Sequence, residues 1–217
     1  MESVYLRDRC GRQGMRHGKG PLITTMPAGA GYSISSGLNA YLPLLILALT
    51  DRVSTSFNLD TPYNWISTNV GIFVVLLLLP VELIGDKIPR LDHFNDLAHT
   101  AIRPLTGAFC FMAVASERSD VNVWIAGVLG LAIAACFHTW KMRWRIRIAQ
   151  ASSGLGTPFA SLQEDGVVIV VSILAAAAPI ANVVVIPLGV ALIRRSYLRL
   201  ATGKSRLVRA FQPKPRT

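Results

Sequence analysis

From Gly166 to Ile193 the chain runs for 28 residues without one charged side chain, and this stretch restricts the solvent it can fold in. As one straight helix, at about 1.5 Å per residue, it would reach about 42 Å, more than a hydrocarbon layer of about 30 Å requires. Pro179, Asn182 and Pro187 interrupt it near the middle. The expectation is a broken hairpin of two half-helices, each about 13 residues long, that turns near Pro179 to Asn182 as a re-entrant pair or two thin spans. Its turn must be covered by protein, because an unsatisfied backbone group in lipid costs several kcal/mol. The rest of the chain agrees with lipid as its solvent: 52% of the 217 residues are hydrophobic and the mean hydropathy is +0.44, above the soluble range. The expected fold class is all-α, a polytopic membrane helix bundle.

Four further spans precede that stretch. The first covers about 31 to 50, with Ser33, Ser35, Ser36, Gly37, Asn39 and Tyr41 in its first third and Pro43 inside it. Small residues admit a neighbouring helix; alternatively, an unwound Ser-Ser-Gly-Leu-Asn turn exposes backbone to a buried ligand, as discontinuous transporter helices do. The second, about 65 to 84, has a Val-Val-Leu-Leu-Leu-Leu centre and ends at Pro80, Glu82 and Asp86. A third from about 105 to 115 is short, and a fourth runs from about 123 to 140. His138, beside Trp140, reads as a residue of the membrane interface.

Between the second and third spans lies the segment richest in chemistry, Asp86 to Pro104. Pro89 suits a first helical turn, and the residue before Pro104 is biased out of helix, which predicts a short interfacial helix from about 90 to 102. On it Asp92, Asp96, His99 and Arg103 fall on one stripe, opposite Leu91, Phe94, Leu97, Ala98 and Ala101. That stripe either faces water, as on any amphipathic helix, or lines a site.

Charge sets the expected topology. The basic leader (1 to 30), the run Lys141, Arg143, Arg145, Arg147 and the basic tail (196 to 217) flank the membrane domain, 31 to 195, or its spans. The positive-inside rule puts all three, and hence both termini, in the cytoplasm of an inner-membrane protein. No apolar h-region precedes the first span, so the leader is not a cleavable signal, and Met26 is an alternative start. Glu82, Asp86, Asp92, Asp96, His99, Arg103, Glu164 and Asp165 then share the cytoplasmic face. The net charge of +10 suits anionic lipid at the two tails; no nucleic-acid module accompanies it. Cys10, Cys110 and Cys136 form no metal or disulfide pattern, and no cofactor motif occurs.

Several motifs in order resemble a family of bacterial membrane proteins known as domain of unknown function 4126. They are Ser-Gly-Leu-Asn-Ala-Tyr-Leu-Pro-Leu at 36 to 44, Glu82 with Asp86-Lys87-Ile-Pro-Arg-Leu-Asp92, Asp96, and Thr100 with Ile102-Arg103-Pro104 before Gly107-Ala108. The stretch from Pro158 to Asp165 is also similar. The resemblance implies a polytopic membrane fold and lends no substrate. An echo of Ser35-Ser36-Gly37-Leu38 in Ser152-Ser153-Gly154-Leu155 is the faint trace that an internal duplication would leave.

Three functions remain open. A transporter or permease, coupled to protons or cations, fits interrupted helices beside ionisable groups, with Ser36, Asn39, Tyr41, Glu82, Asp86, Lys87, Asp92, Asp96, His99, Arg103, Glu164 and Asp165 as candidate site residues. A membrane enzyme acting on a phosphorylated lipid would use Asp86, Asp92 and Asp96 to hold Mg²⁺, with Arg103 or Lys87 on the phosphate. A non-catalytic scaffold or homo-oligomer would need only the Gly-rich packing faces. No nucleophilic triad, Walker loop or HExxH helix is present.

Overall fold

Glycine, serine and alanine at the centre and leucine and valine outside invert the usual pattern of a water-soluble bundle. The computed structural model describes residues 22–55, 57–85, 92–118, 121–152 and 157–210. Among them are seven α-helices and no strand: α1 (Leu22–Leu38), α2 (Tyr41–Val53), α3 (Asn69–Gly85), α4 (Asp92–Arg118), α5 (Val123–Ser152), α6 (Thr157–Ala177) and α7 (Asn182–Ala210). Short 3₁₀ turns at Tyr63–Ser67 and Pro179–Ala181 lead into α3 and α7.

α1 is the hub. Thr25, Ala28, Gly29 and every residue from Gly31 to Leu38 are buried, against α4, α5 and α6. Its small side chains permit that approach and bond both along the helix and across it: Ser33 Oγ donates to Gly29 O in α1 at 2.8 Å and to Gly107 O of α4 at 3.1 Å, and Ser35 Oγ reaches Val168 O at 3.5 Å. α4 and α5 meet so closely that a Cβ on Gly130 would lie 2.5 Å from the Gly107 carbonyl oxygen, inside any tolerable contact.

The helices alternate in direction. α1 runs antiparallel to α4, pairing Ser33 with Gly107 and Gly29 with Phe111. α2 runs antiparallel to α3, since Tyr41 meets Glu82 at one end while Arg52 reaches Ser67 and Asn69 at the other. α6 and α7 are antiparallel, with Asn182 beside Val171 and Gly189 beside Val167. One end of the bundle therefore carries the α1–α2 corner and the C-terminal end of α3; the other carries the Pro179 turn and the loop from Ser54 to Thr68, which Asp51 Oδ1 anchors by accepting from Leu59 N at 2.7 Å.

The exterior is apolar. On α3 the buried positions are Gly71, Val75, Glu82 and Gly85, whereas Phe73, Leu77 and Val81 are 65%, 62% and 64% exposed. Two helical segments, Val123–Ile148 and Pro158–Ala177, are long and apolar enough to cross a membrane, with mean hydropathy of 1.7 and 1.6.

Several expected boundaries are corrected. The stretch from 31 to 50 is not one helix; it reverses between Leu38 and Tyr41. Pro43 consequently lies in the first turn of α2, where its missing N–H removes no helical bond. The interfacial helix at 90 to 102 and the separate third span at 105 to 115 are one 27-residue helix, α4, with Pro104 inside it. A proline sacrifices one helical hydrogen bond, and the contacts of Arg103 on one side and Gly107 on the other hold the axis through it. The fourth span does not stop at residue 140: α5 is 30 residues long and carries Lys141, Arg143, Arg145 and Arg147 on its own turns. Glu164 and Asp165 are likewise inside a helix. α6 is 21 residues long and α7 is 29, rather than half-helices of 13. Among the described residues, helix extends from Leu22 to Ala210 at the two ends; the second copy of the Ser-Ser-Gly-Leu echo falls largely outside the described residues.

Candidate functional site

A helix that stops inside a protein leaves carbonyls without donors, and one that starts there leaves N–H groups without acceptors. Both happen at once in the α1–α2 corner. Asn39 settles part of the demand locally, its Oδ1 accepting from Tyr41 N at 3.2 Å and Leu42 N at 3.0 Å. The rest is met by charge from other helices. The Glu82 carboxylate of α3 accepts from Ala40 N at 3.0 and 2.9 Å and from Tyr41 N at 3.2 Å, while Lys141 Nζ of α5 donates to Leu38 O at 2.6 Å. An anion thus sits at the positive pole of α2 and a cation at the negative pole of α1, the favourable sense for both helix dipoles.

Behind Glu82 lies a second layer. Arg103 Nε donates to Glu82 Oε1 at 3.0 Å, and His99 Nε2 lies 3.7 Å from the same oxygen. Arg103 and Glu82 are fully buried. Arg103 Nη1 also lies 3.1 Å from His138 Nδ1, and His138 Nε2 lies 3.3 Å from Thr100 Oγ1. Guanidinium can only donate, so Nδ1 accepts, the ring is neutral, and the proton resides on Nε2 facing Thr100. The ring of Tyr41 stands edge-on to His99 at 5.9 Å between centroids.

A neighbouring cluster supports the other half of the corner. Arg145 Nη2 donates to Glu164 Oε2 at 2.7 Å, and Lys141 Nζ lies 3.5 Å from the same oxygen; all three side chains are buried. Asn39 Nδ2 donates to Asp165 Oδ1 at 3.4 Å, tying the half-buried Asp165 to the corner from α6.

A family model described as a domain of unknown function, DUF4126, matches residues 26–199. The chain belongs to the DUF4126 family. The match spans every residue of the corner and both ion clusters, and leaves outside it the basic leader and the end of the tail. Comparison with curated proteins and with solved structures gives no match.

The sequence-derived candidates divide in this DUF4126 protein. Asn39, Tyr41, Glu82, His99, Arg103, Glu164 and Asp165 gather around the corner. Ser36 instead donates to Tyr32 O at 2.8 Å within α1 and faces Cys110 of α4, a packing role. Asp86 and Lys87 lie outside the described residues. Asp92 and Asp96 sit on the first turns of α4, but their side chains are likewise outside the description, and with them the Mg²⁺ set Asp86, Asp92 and Asp96. Among the described residues no group of three or more His, Cys, Asp or Glu side chains is placed to hold a metal.

Three residues of the site were assigned elsewhere by sequence. His138 is buried in the ion network rather than at an interface, and Lys141 and Arg145 are interior partners of Glu164 rather than flanking charges. Their spacing carried the signal: Gly130, Ala134, His138, Lys141 and Arg145 recur every three or four residues, one face of α5, and that face begins with the small residues that touch α4.

Proposed function

We propose that the protein is an integral membrane permease whose substrate passes the α1–α2 corner, in the inner membrane of the cell with the tail after α7 cytoplasmic. The observation that carries this reading is the corner itself, where the polar ends of two helices are met by Glu82 and Lys141 inside a bundle whose outer surface is apolar. Ionisable side chains within such a bundle are expensive and are retained for moving polar solutes or protons, and interrupted helices offer backbone groups to them. Positive-inside placement of Arg143, Arg147 and the tail sets the corner toward the cytoplasmic side, with the Pro179 turn, the Ser54–Thr68 loop and the start of α1 facing outward, so that the described chain begins and ends on opposite sides rather than both in the cytoplasm.

Reconstitution of the full chain into liposomes tests this. Flux of at least one member of a panel of inorganic ions, organic acids, amines and sugars above that of empty liposomes is expected, reduced by Lys141→Met. A protein that moved none of them would overturn the reading. In cells, with the native cysteines replaced, Thr55→Cys should react with an impermeant thiol reagent from outside and Arg147→Cys only after permeabilisation; labelling of both from one side would remove the membrane crossing on which the proposal stands.

A further inference from the structure

The basic residues near the end of α5 divide between two sides of the helix. Lys141 and Arg145 turn inward, to Leu38 O and Glu164, on the side where Ala134 meets α1 and α4. Arg143 and Arg147 follow Ala134 by nine and thirteen residues, which at 100° per residue puts them on the opposite side, and both are exposed. Arg147 lies over the ring of half-buried Trp144, 5.2 Å from its centroid. α7 arrives at the same place: Ile148 of α5, Ala160 of α6 and Ile193 of α7 pack in one cluster, with Trp140 and Trp144 against it. Arg194 and Arg195, the next residues after Ile193, are exposed as well. Neither α5 nor α7 holds an acidic residue, for none occurs from Val121 to Gln163 or from Gly166 to Thr217. Depth gives this patch its chemistry. Exposed apolar side chains on α5 run from Trp124 to Ile146, about 33 Å at about 1.5 Å per residue, one hydrocarbon layer. Arg143 and Arg147 lie on either side of Ile146, and on α7 the exposed Leu192 and Leu198 bracket Arg194 and Arg195. The four guanidiniums therefore stand where lipid tails give way to headgroups, a level that tryptophan rings also favour. A guanidinium keeps its charge there and offers paired N–H donors that match the oxygens of a phosphate.

We propose that the adjoining ends of α5 and α7 bind the phosphate headgroup of an anionic phospholipid, with Arg143, Arg147, Arg194 and Arg195 as its donors and the acyl chains beside Ile146 and Leu192. The site rests on the membrane placement in the permease reading and does not require transport. It differs from the attraction of a basic tail for an anionic surface, in which charge acts without fixed position. Here the arginines belong to two helices packed through Ile148 and Ile193, and a tryptophan ring orients one of them. A lipid held there joins α5 to α7 through a shared anion.

The test is tryptophan quenching in the full-length protein, with Trp65→Phe and Trp124→Phe so that Trp140 and Trp144 report alone. The protein is placed in phosphatidylcholine vesicles that contain acyl-brominated phosphatidylglycerol or, at equal mole fraction, acyl-brominated phosphatidylcholine. Bromine quenches a tryptophan that its chain touches. Phosphatidylglycerol should quench more strongly, and its association constant relative to phosphatidylcholine should fall about tenfold in Arg143→Gln/Arg147→Gln and in Arg194→Gln/Arg195→Gln, the scale set by two arginines at an anionic headgroup. Arg206→Gln/Arg209→Gln, in the tail, should leave the preference in place. Equal quenching by the two lipids overturns the proposal, as does a preference that survives both arginine pairs and disappears in the tail variant. If the background without Trp65 and Trp124 does not fold, the four-tryptophan chain takes its place, because the arginine pairs alone must account for the difference. Solute flux without a lipid preference would keep the permease reading and lose this site; a lipid preference without flux would do the opposite.

Discussion

The chain reverses direction at Leu38–Tyr41 and again at Ala178–Asn182, and the two reversals are held by different chemistry. At the second, Pro179 opens a 3₁₀ turn, Ala178 N and Ala181 N donate to Leu174 O and Ala178 O, and the Asn182 amide donates to Val171 O at 3.2 Å. Those contacts are neutral. The first recruits a carboxylate and an ammonium from two other helices and backs them with Arg103 and Arg145. A buried amide with a partner is cheap, whereas each buried ion carries a desolvation penalty of several kcal/mol that its pairing must offset. The second reversal shows that this chain can turn with neutral groups alone, so the buried charges set the first reversal apart.

That contrast can be broken by measurement. Arg103→Ala, which removes the guanidinium paired with buried Glu82 and one partner of His138, should lower the unfolding free energy in detergent by about 3–5 kcal/mol. A loss no greater than that of Asn182→Ala would erase the distinction between the reversals. Gly31→Ala should cost about 1–3 kcal/mol, because its new Cβ would run into Asn182 Nδ2. Combining it with Asn182→Ala should recover much of that loss, and strictly additive effects would show that α1 does not sense the second turn through this contact. Asn182→Ala alone should cost about 1 kcal/mol, the ordinary worth of one hydrogen bond. Phe73→Ala, on the outward face of α3, should change stability in detergent by less than about 0.5 kcal/mol; a core-sized effect there would mean that another chain covers this face.

What sequence alone determined follows from local rules. Apolar runs with no charge between Gly166 and Ile193 and from Val70 to Val81 in α3 demanded helices in an apolar medium, since a backbone without water must bond to itself. The all-helical class and the break near Pro179 were legible because proline, glycine and charge inside apolar sequence are rare and costly, and the same rule singled out Asn39, Glu82 and Arg103, which meet at the corner. What needed the tertiary structure was every assignment that depends on a partner. Whether Pro104 ends a helix, whether Lys141 faces water or Leu38 O, and whether His138 marks an interface or holds Arg103 are decided by groups distant in the chain. Local propensities there amount to about 1–3 kcal/mol, and burial of ion pairs across α3, α4, α5 and α6 outweighs them. The corner between α1 and α2 illustrates both halves. Its residues announced themselves, but its reversal exists because Glu82 and Lys141 arrive from elsewhere to satisfy the ends it exposes.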